Sequence, residues 1–170
     1  MGVPVHTRTE RRAARRAGEG GRRIEYLAFR LAGESYAVQI ADLAEILKPP
    51  PITEVPRAPW AVLGLVSVRG RLVTVIDLRR RLHIARASGD SVAALDPKAR
   101  ILLTDVGSGE QIGLLVDEVQ EVWRLAPEQI ESPDALGGVE PGHIAGIGRP
   151  AGVDGPILIL LDLRPLLAAP

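Results

Sequence analysis

The stretch GESYAVQIADLAEIL (33–47) returns 76 residues later as GEQIGLLVDEVQEVW (109–123), with no gap between the copies. Gly33 aligns with Gly109, Glu34 with Glu110, Val38 with Leu114 and Ile40 with Val116. Asp42 then aligns with Glu118, Leu43 with Val119, Glu45 with Glu121 and Ile46 with Val122. A second match follows, LVTVIDLRRRL (72–82) with ILILLDLRPLL (157–167), pairing Asp77 with Asp162; Gly64-Leu65 and Gly146-Ile147 precede the two copies. Gly and Pro punctuate the chain every 8–12 residues, with short Val/Ile/Leu runs between, the pattern of many short strands. Each copy offers about five such strands, suited to a small closed barrel that leaves no exposed edges. The repeat therefore predicts an all-β protein with short helices, built from two similar small barrels packed side by side.

Outward from the repeat, the expected units are residues 24–84 and 99–170, joined by a polar loop at 85–98. Strands are expected at 24–31, 35–40, 62–69, 72–77, 101–106, 111–116 and 157–163. Short helical signals lie at 41–44, 59–63, 78–82 and 164–168. Residues 1–23 carry seven Arg against Glu10 and Glu19, which leaves a net −5 on the other 147 residues. This segment has no apolar periodicity and reads as a solvated tail or as a basic arm for anionic lipid or nucleic acid. No apolar run approaches the ~20 residues of a membrane span. No apolar core follows the arginines, so a secretory signal is unsupported and the expected compartment is the cytoplasm.

Catalytic chemistry finds little support. The chain has no Cys, which removes disulfides, thiol nucleophiles and Cys-ligated metals. His6, His83 and His143 stand apart, without metal-binding helical spacing. Asp77 and Asp162 occupy the same strand-to-helix position in both copies, where a carboxylate caps free backbone N–H groups. Gly146-Ile147-Gly148 with Gly152 lacks the Lys-Ser/Thr of a phosphate loop. The net-acidic body and its five scattered aromatics argue against a nucleic-acid surface on the folded part. The expectation is a non-enzyme with no cofactor and no metal, whose output is its surface.

The strings EYLAFRL (25–31), YAVQIADLAEIL (36–47), ITEVPRAPWAVLGLVSVRGRLVTVIDLRRRL (52–82), ARILLTDV (99–106), IGLLVDEVQEVWRL (112–125) and ILILLDLRPLL (157–167) resemble, in order, the CheW family. Ser67-Val68-Arg69-Gly70 stands where the family usually reads Asn-Leu-Arg-Gly, and Thr74 replaces a frequent Pro. The resemblance spans residues 24–167 and implies one CheW-like domain of two five-stranded SH3-like barrels, partly intertwined. It implies a cytoplasmic adaptor at membrane-associated receptor arrays, coupling chemoreceptor tips to the regulatory domain of a CheA-type histidine kinase. The alternative is a CheW-like scaffold of another two-component pathway, motility or developmental, whose basic tail binds membrane or nucleic acid. By position, the implied receptor contacts are Leu27, Ile40, Leu43, Glu45, Ile46, Arg69, Val119 and Val122. The implied kinase contacts are Ile52, Val55 and Arg57. The competing readings are core packing for the aliphatic residues, an intramolecular ion pair for Arg69 and a structural loop for 52–57.

Overall fold

The computed structural model describes residues 21–84, 95–105, 107, 109–136 and 142–168. The expected tail 1–23 and loop 85–98 fall mostly outside them. The described strands are β1 Ile24–Leu31, β2 Glu34–Gln39, β3 Leu43–Leu47, β4 Val62–Val68, β5 Arg71–Asp77 and β6 Arg100–Asp105. They continue with β7 Gln111–Val116, β8 Glu118–Leu125, β9 Ile130–Glu131, β10 Ile144–Gly148 and β11 Leu158–Leu161. Short helices, Leu78–Arg81 and Leu163–Ala168, follow β5 and β11.

The strands form two sheets, one ordered β8-β1-β2-β11-β10-β9 and the other β3-β6-β7-β5-β4. Apart from β9, the two orders are the same under the repeat: β1 corresponds to β6, β2 to β7, β3 to β8, β4 to β10 and β5 to β11. Even the parallel pairs match, Ile159 opposite Tyr36 in one sheet and Thr74 opposite Ile112 in the other. The sheets do not follow the halves of the chain, however. Strands β1 and β2 join β8 to β11, while β3, β4 and β5 join β6 and β7. Residues 24–84 and 99–170 are therefore not self-contained units, and the domain is intertwined. Local sequence specifies most strands; which sheet receives each is set by pairing with distant partners. The first sheet also has a sixth strand, the two-residue β9, beyond the five expected.

Alternation explains the packing. A strand sends successive side chains to opposite faces. In β1, Leu27, Phe29 and Leu31 enter a central cluster, whereas Tyr26 and Ala28 enter a core belonging to the six-stranded sheet. In β6, Leu102 enters the same central cluster while Ile101 and Leu103 fill the core of the five-stranded sheet. Each sheet thus gives one face to its own core and one to a shared seam, closed by Leu78, Leu163 and Leu166 of the two short helices. That is why the central strands are apolar on both faces.

Two hairpins turn on two residues with positive φ. Ala32 (49°) and Gly33 (87°) link β1 to β2, and Arg69 (49°) and Gly70 (78°) link β4 to β5. Positive φ at both central residues gives a turn whose twist matches that of the strands. The helical signal at 41–44 resolves into a 3-10 turn, Ile40–Asp42, followed by β3, because pairing with β6 overrides local preference. At 59–63 there is a single turn, Val62 N–H donating to Pro59 C=O at 2.9 Å, before β4 continues.

Gly64 has φ +151°, and a Cβ there would lie 2.1 Å from the Thr53 carbonyl oxygen. Its bareness lets the segment before β4 lie across the strand, where Thr53 and Leu65 exchange backbone hydrogen bonds of 2.9 and 2.8 Å. Gly64→Ala is expected to cost about 3 kcal/mol, the upper range for overpacking. A denaturant midpoint shift at unchanged m-value is the measurement.

Candidate functional site

Of the residues expected to bind, Arg69 and Glu45 are brought together. The Arg69 guanidinium donates from Nη1 and Nη2 to the two Glu45 carboxylate oxygens at 2.7 and 2.8 Å. The intramolecular alternative for Arg69 is thus the one observed. Its left-handed backbone at the first turn position carries the side chain back from the β4–β5 hairpin to β3. The hydrogen bonds to Glu45, with the charge of that carboxylate second, push the guanidinium pKa further up. The fork uses two of its five N–H donors, and the side chain remains 75% exposed. An exposed pair of this kind adds little to stability, so it is a polar surface feature.

The aliphatic candidates divide. Leu27 is 4% exposed and belongs to the central cluster, so its side chain packs in the core. Its strand, β1, lies between β8 and β2 and has both faces covered. Ile40, Leu43 and Val119 are partly buried and pack against the same cluster. The equivalent residues Leu43 and Val119 therefore both pack against the seam, one from each sheet. The next equivalent pair, Ile46 and Val122, is 43% and 50% exposed on β3 and β8, the terminal strands of the two sheets.

In the proline-flanked segment, Ile52 packs partly against the core of the five-stranded sheet, while Val55 is 39% exposed. Arg57 is exposed at φ +62°, inside a turn closed by Ala58 N–H donating to Val55 C=O at 3.2 Å. Beside them stands a feature the sequence reading missed. Trp60 is 69% exposed, and the Arg80 guanidinium lies 4.4 Å from its ring centroid. Leu72 and Ile157, aligned by the second repeat, are also exposed. Equivalent apolar residues at the start of LVTV and ILIL carried that signal in the sequence.

The two aligned aspartates are caps. Asp77, 1% exposed, accepts from Arg79 N–H at 2.9 Å, and its own N–H donates to Ala61 C=O. Asp162 accepts from Arg164 N–H at 3.1 Å, and its N–H donates to His143 C=O. Each serves its own helix in a different sheet. Burial pushes the Tyr26 and Tyr36 phenols up, with Asp42 and Glu34 raising them further, so both stay neutral at physiological pH. Among the described residues, no group of three or more His, Asp or Glu is placed to hold a metal ion. Nor is any described helix long and apolar enough to cross a membrane.

The CheW-like domain model matches residues 25–170. The chain belongs to the CheW-like family. It is 30% identical over 154 residues to the chemotaxis protein CheW of Rhizobium meliloti, covering 89% of this chain and 90% of that one. It is 27% identical over 150 residues to the chemotaxis protein CheW of Treponema pallidum, covering 86% and 83%. The crystal structure of the scaffolding protein TtCheW from Thermoanaerobacter tengcongensis superposes with a TM-score of 0.72 at 29% identity, covering 86% and 94%. The CheW-like fold accounts for the two sheets and their repeat.

Because the Arg69–Glu45 pair is solvent-facing, Arg69→Ala and Glu45→Ala are each expected to leave the melting temperature close to that of the wild type. Differential scanning calorimetry on both variants checks it.

Proposed function

We propose that the chain is a non-catalytic adaptor that couples chemoreceptors to a CheA-type histidine kinase, working on the cytoplasmic side of receptor arrays. The observation that carries this reading is a duplicated one. Both copies leave an apolar residue half exposed, Ile46 and Val122, on the terminal strand of each sheet, three residues beyond the seam residues Leu43 and Val119. Core packing does not require exposed aliphatic side chains at both equivalent positions. A partner helix with an apolar face does, in the helix-in-groove mode. Glu45, on the same strand as Ile46, and its partner Arg69 add a charged pair on the other face of β3. The remaining N–H donors of Arg69 are available to a receptor carboxylate or carbonyl.

The second surface is the segment before β4. Val55 and Arg57 are exposed on a backbone restricted by Pro49, Pro50, Pro51 and Pro56 and pinned to β4 through Thr53. A restricted segment loses less conformational entropy on binding. Ile52 anchors it from beneath, so its part in kinase binding is support. Two interfaces of standard size, ~800 Å² per partner, fit on a surface of 11195 Å². Holding receptor and kinase together lets a change in one shift the other's equilibrium, with no chemistry in the bridge.

Ile46→Asp with Val122→Asp is expected to reduce co-sedimentation with receptor signalling fragments at least tenfold, and Arg69→Ala to weaken it less, both with wild-type circular dichroism. Arg57→Glu is expected to reduce kinase pull-down while sparing receptor binding. Unchanged binding by the double aspartate variant would refute the receptor surface.

A further inference from the structure

The repeat makes the two crossovers between the sheets comparable, and they are not tied alike. At the β7–β8 crossover stands Asp117. Its Oδ2 accepts from the Ala32 N–H of the β1–β2 turn at 2.8 Å, on the six-stranded side. Its Oδ1 lies 3.5 Å from Nε of Arg79, on the helix that follows β5 of the five-stranded sheet. Arg79 Nε is also 3.8 Å from Asp77 Oδ1, and the Arg79 side chain is 17% exposed. The Asp117 N–H donates to Arg30 C=O at 3.1 Å. One carboxylate thus joins a hairpin of one sheet to a helix of the other.

At the equivalent β2–β3 crossover the position of Asp117 is Ala41, and Arg164 takes the place of Arg79. With no carboxylate at 41, that junction lacks the link. Asp42, Thr104, Asp105, Leu163, Arg164 and Leu167 instead line a cleft of about 420 Å³ there. Among the described residues no carboxylate links the sheets at the second junction as Asp117 does at the first; its helix is held to the other side by Arg81 Nε donating to the Leu166 C=O at 2.7 Å.

We propose that Asp117 and Arg79 form a clasp about which the two sheets pivot, and that they act as positioning residues for the apolar pair Ile46 and Val122. The positioning half rests on the receptor reading above; the clasp itself does not. Relative movement of the sheets then widens or narrows the cleft at the junction that lacks the carboxylate, and a partner lying across both terminal strands selects one arrangement.

The natural absence of cysteine allows a direct test. Glu121→Cys on β8 and Ser67→Cys on β4 place spin labels on exposed positions of the two sheets. Pulsed electron resonance then gives the distribution of distances between them. Asp117→Ala is expected to broaden or shift that distribution, speed Ala32 amide exchange at least tenfold and weaken receptor-fragment binding about tenfold. Ala41→Asp, which offers Arg164 a partner, is expected to narrow the distribution. Should Asp117→Ala fail to fold, Arg79→Leu and Ala41→Asp carry the same readouts. An unchanged distribution in every variant overturns the clasp. A changed distribution with unaltered receptor binding overturns the positioning role. If the wild type itself does not bind the fragment, the receptor reading fails, and the clasp is decided by the distances and the Ala32 exchange rate.

Discussion

Everything in this molecule depends on the seam between the two sheets. Leu27, Phe29, Leu31 and Val38 from one side meet Leu102, Leu114 and Val116 from the other, all under 5% exposed, with the two short helices closing the ends. Burying side chains of this size is worth about 1.5–3 kcal/mol each relative to water exposure, far more than any exposed ion pair. The seam decides which residues of the terminal strands β3 and β8 face inward and which face outward.

Polar interactions then refine what the seam sets. Asp77 and Asp162 satisfy the first free N–H groups of helices too short to hold themselves. The Arg69–Glu45 fork orients a guanidinium without contributing much to folding. Arg80 covers one exposed indole. The carboxylate of Asp117 faces both sheets. The internal repeat makes it conspicuous, because the same position in the other copy is an alanine.

Periodicity and repetition revealed seven of the eleven described strands, both hairpin turns and both caps, because these depend on residues near in sequence; β3, β8, β9 and β10, which lean on distant partners or are very short, were not read as strands. The exchange of β1 and β2 between sheets was not legible in the same way. A repeat with a constant offset of 76 is equally compatible with two closed units and with two interlocked ones. Pairing partners from the far half of the chain decide between them. The same blindness affected the site. The burial of Leu27 follows from the packing of its face of β1 against Leu102, Leu114 and Val116 of the other sheet, and Arg69 meets Glu45, 24 residues earlier, through the tertiary fold. Where local chemistry sufficed, as at Gly33 and Gly70, the reading was accurate; where neighbours came from the other half, the residue type alone was silent.

The interlocking bears on how the protein is made. Tyr36 is paired with Ile159, so β2 lacks one of its neighbours until β11, far along the chain, has left the ribosome. An emerging amino-terminal half has no finished sheet to collapse into, and its apolar strands wait with open edges. High contact order of this sort slows folding and lengthens exposure to aggregation. Truncation from the carboxyl end would then damage the first strands synthesised as much as the last.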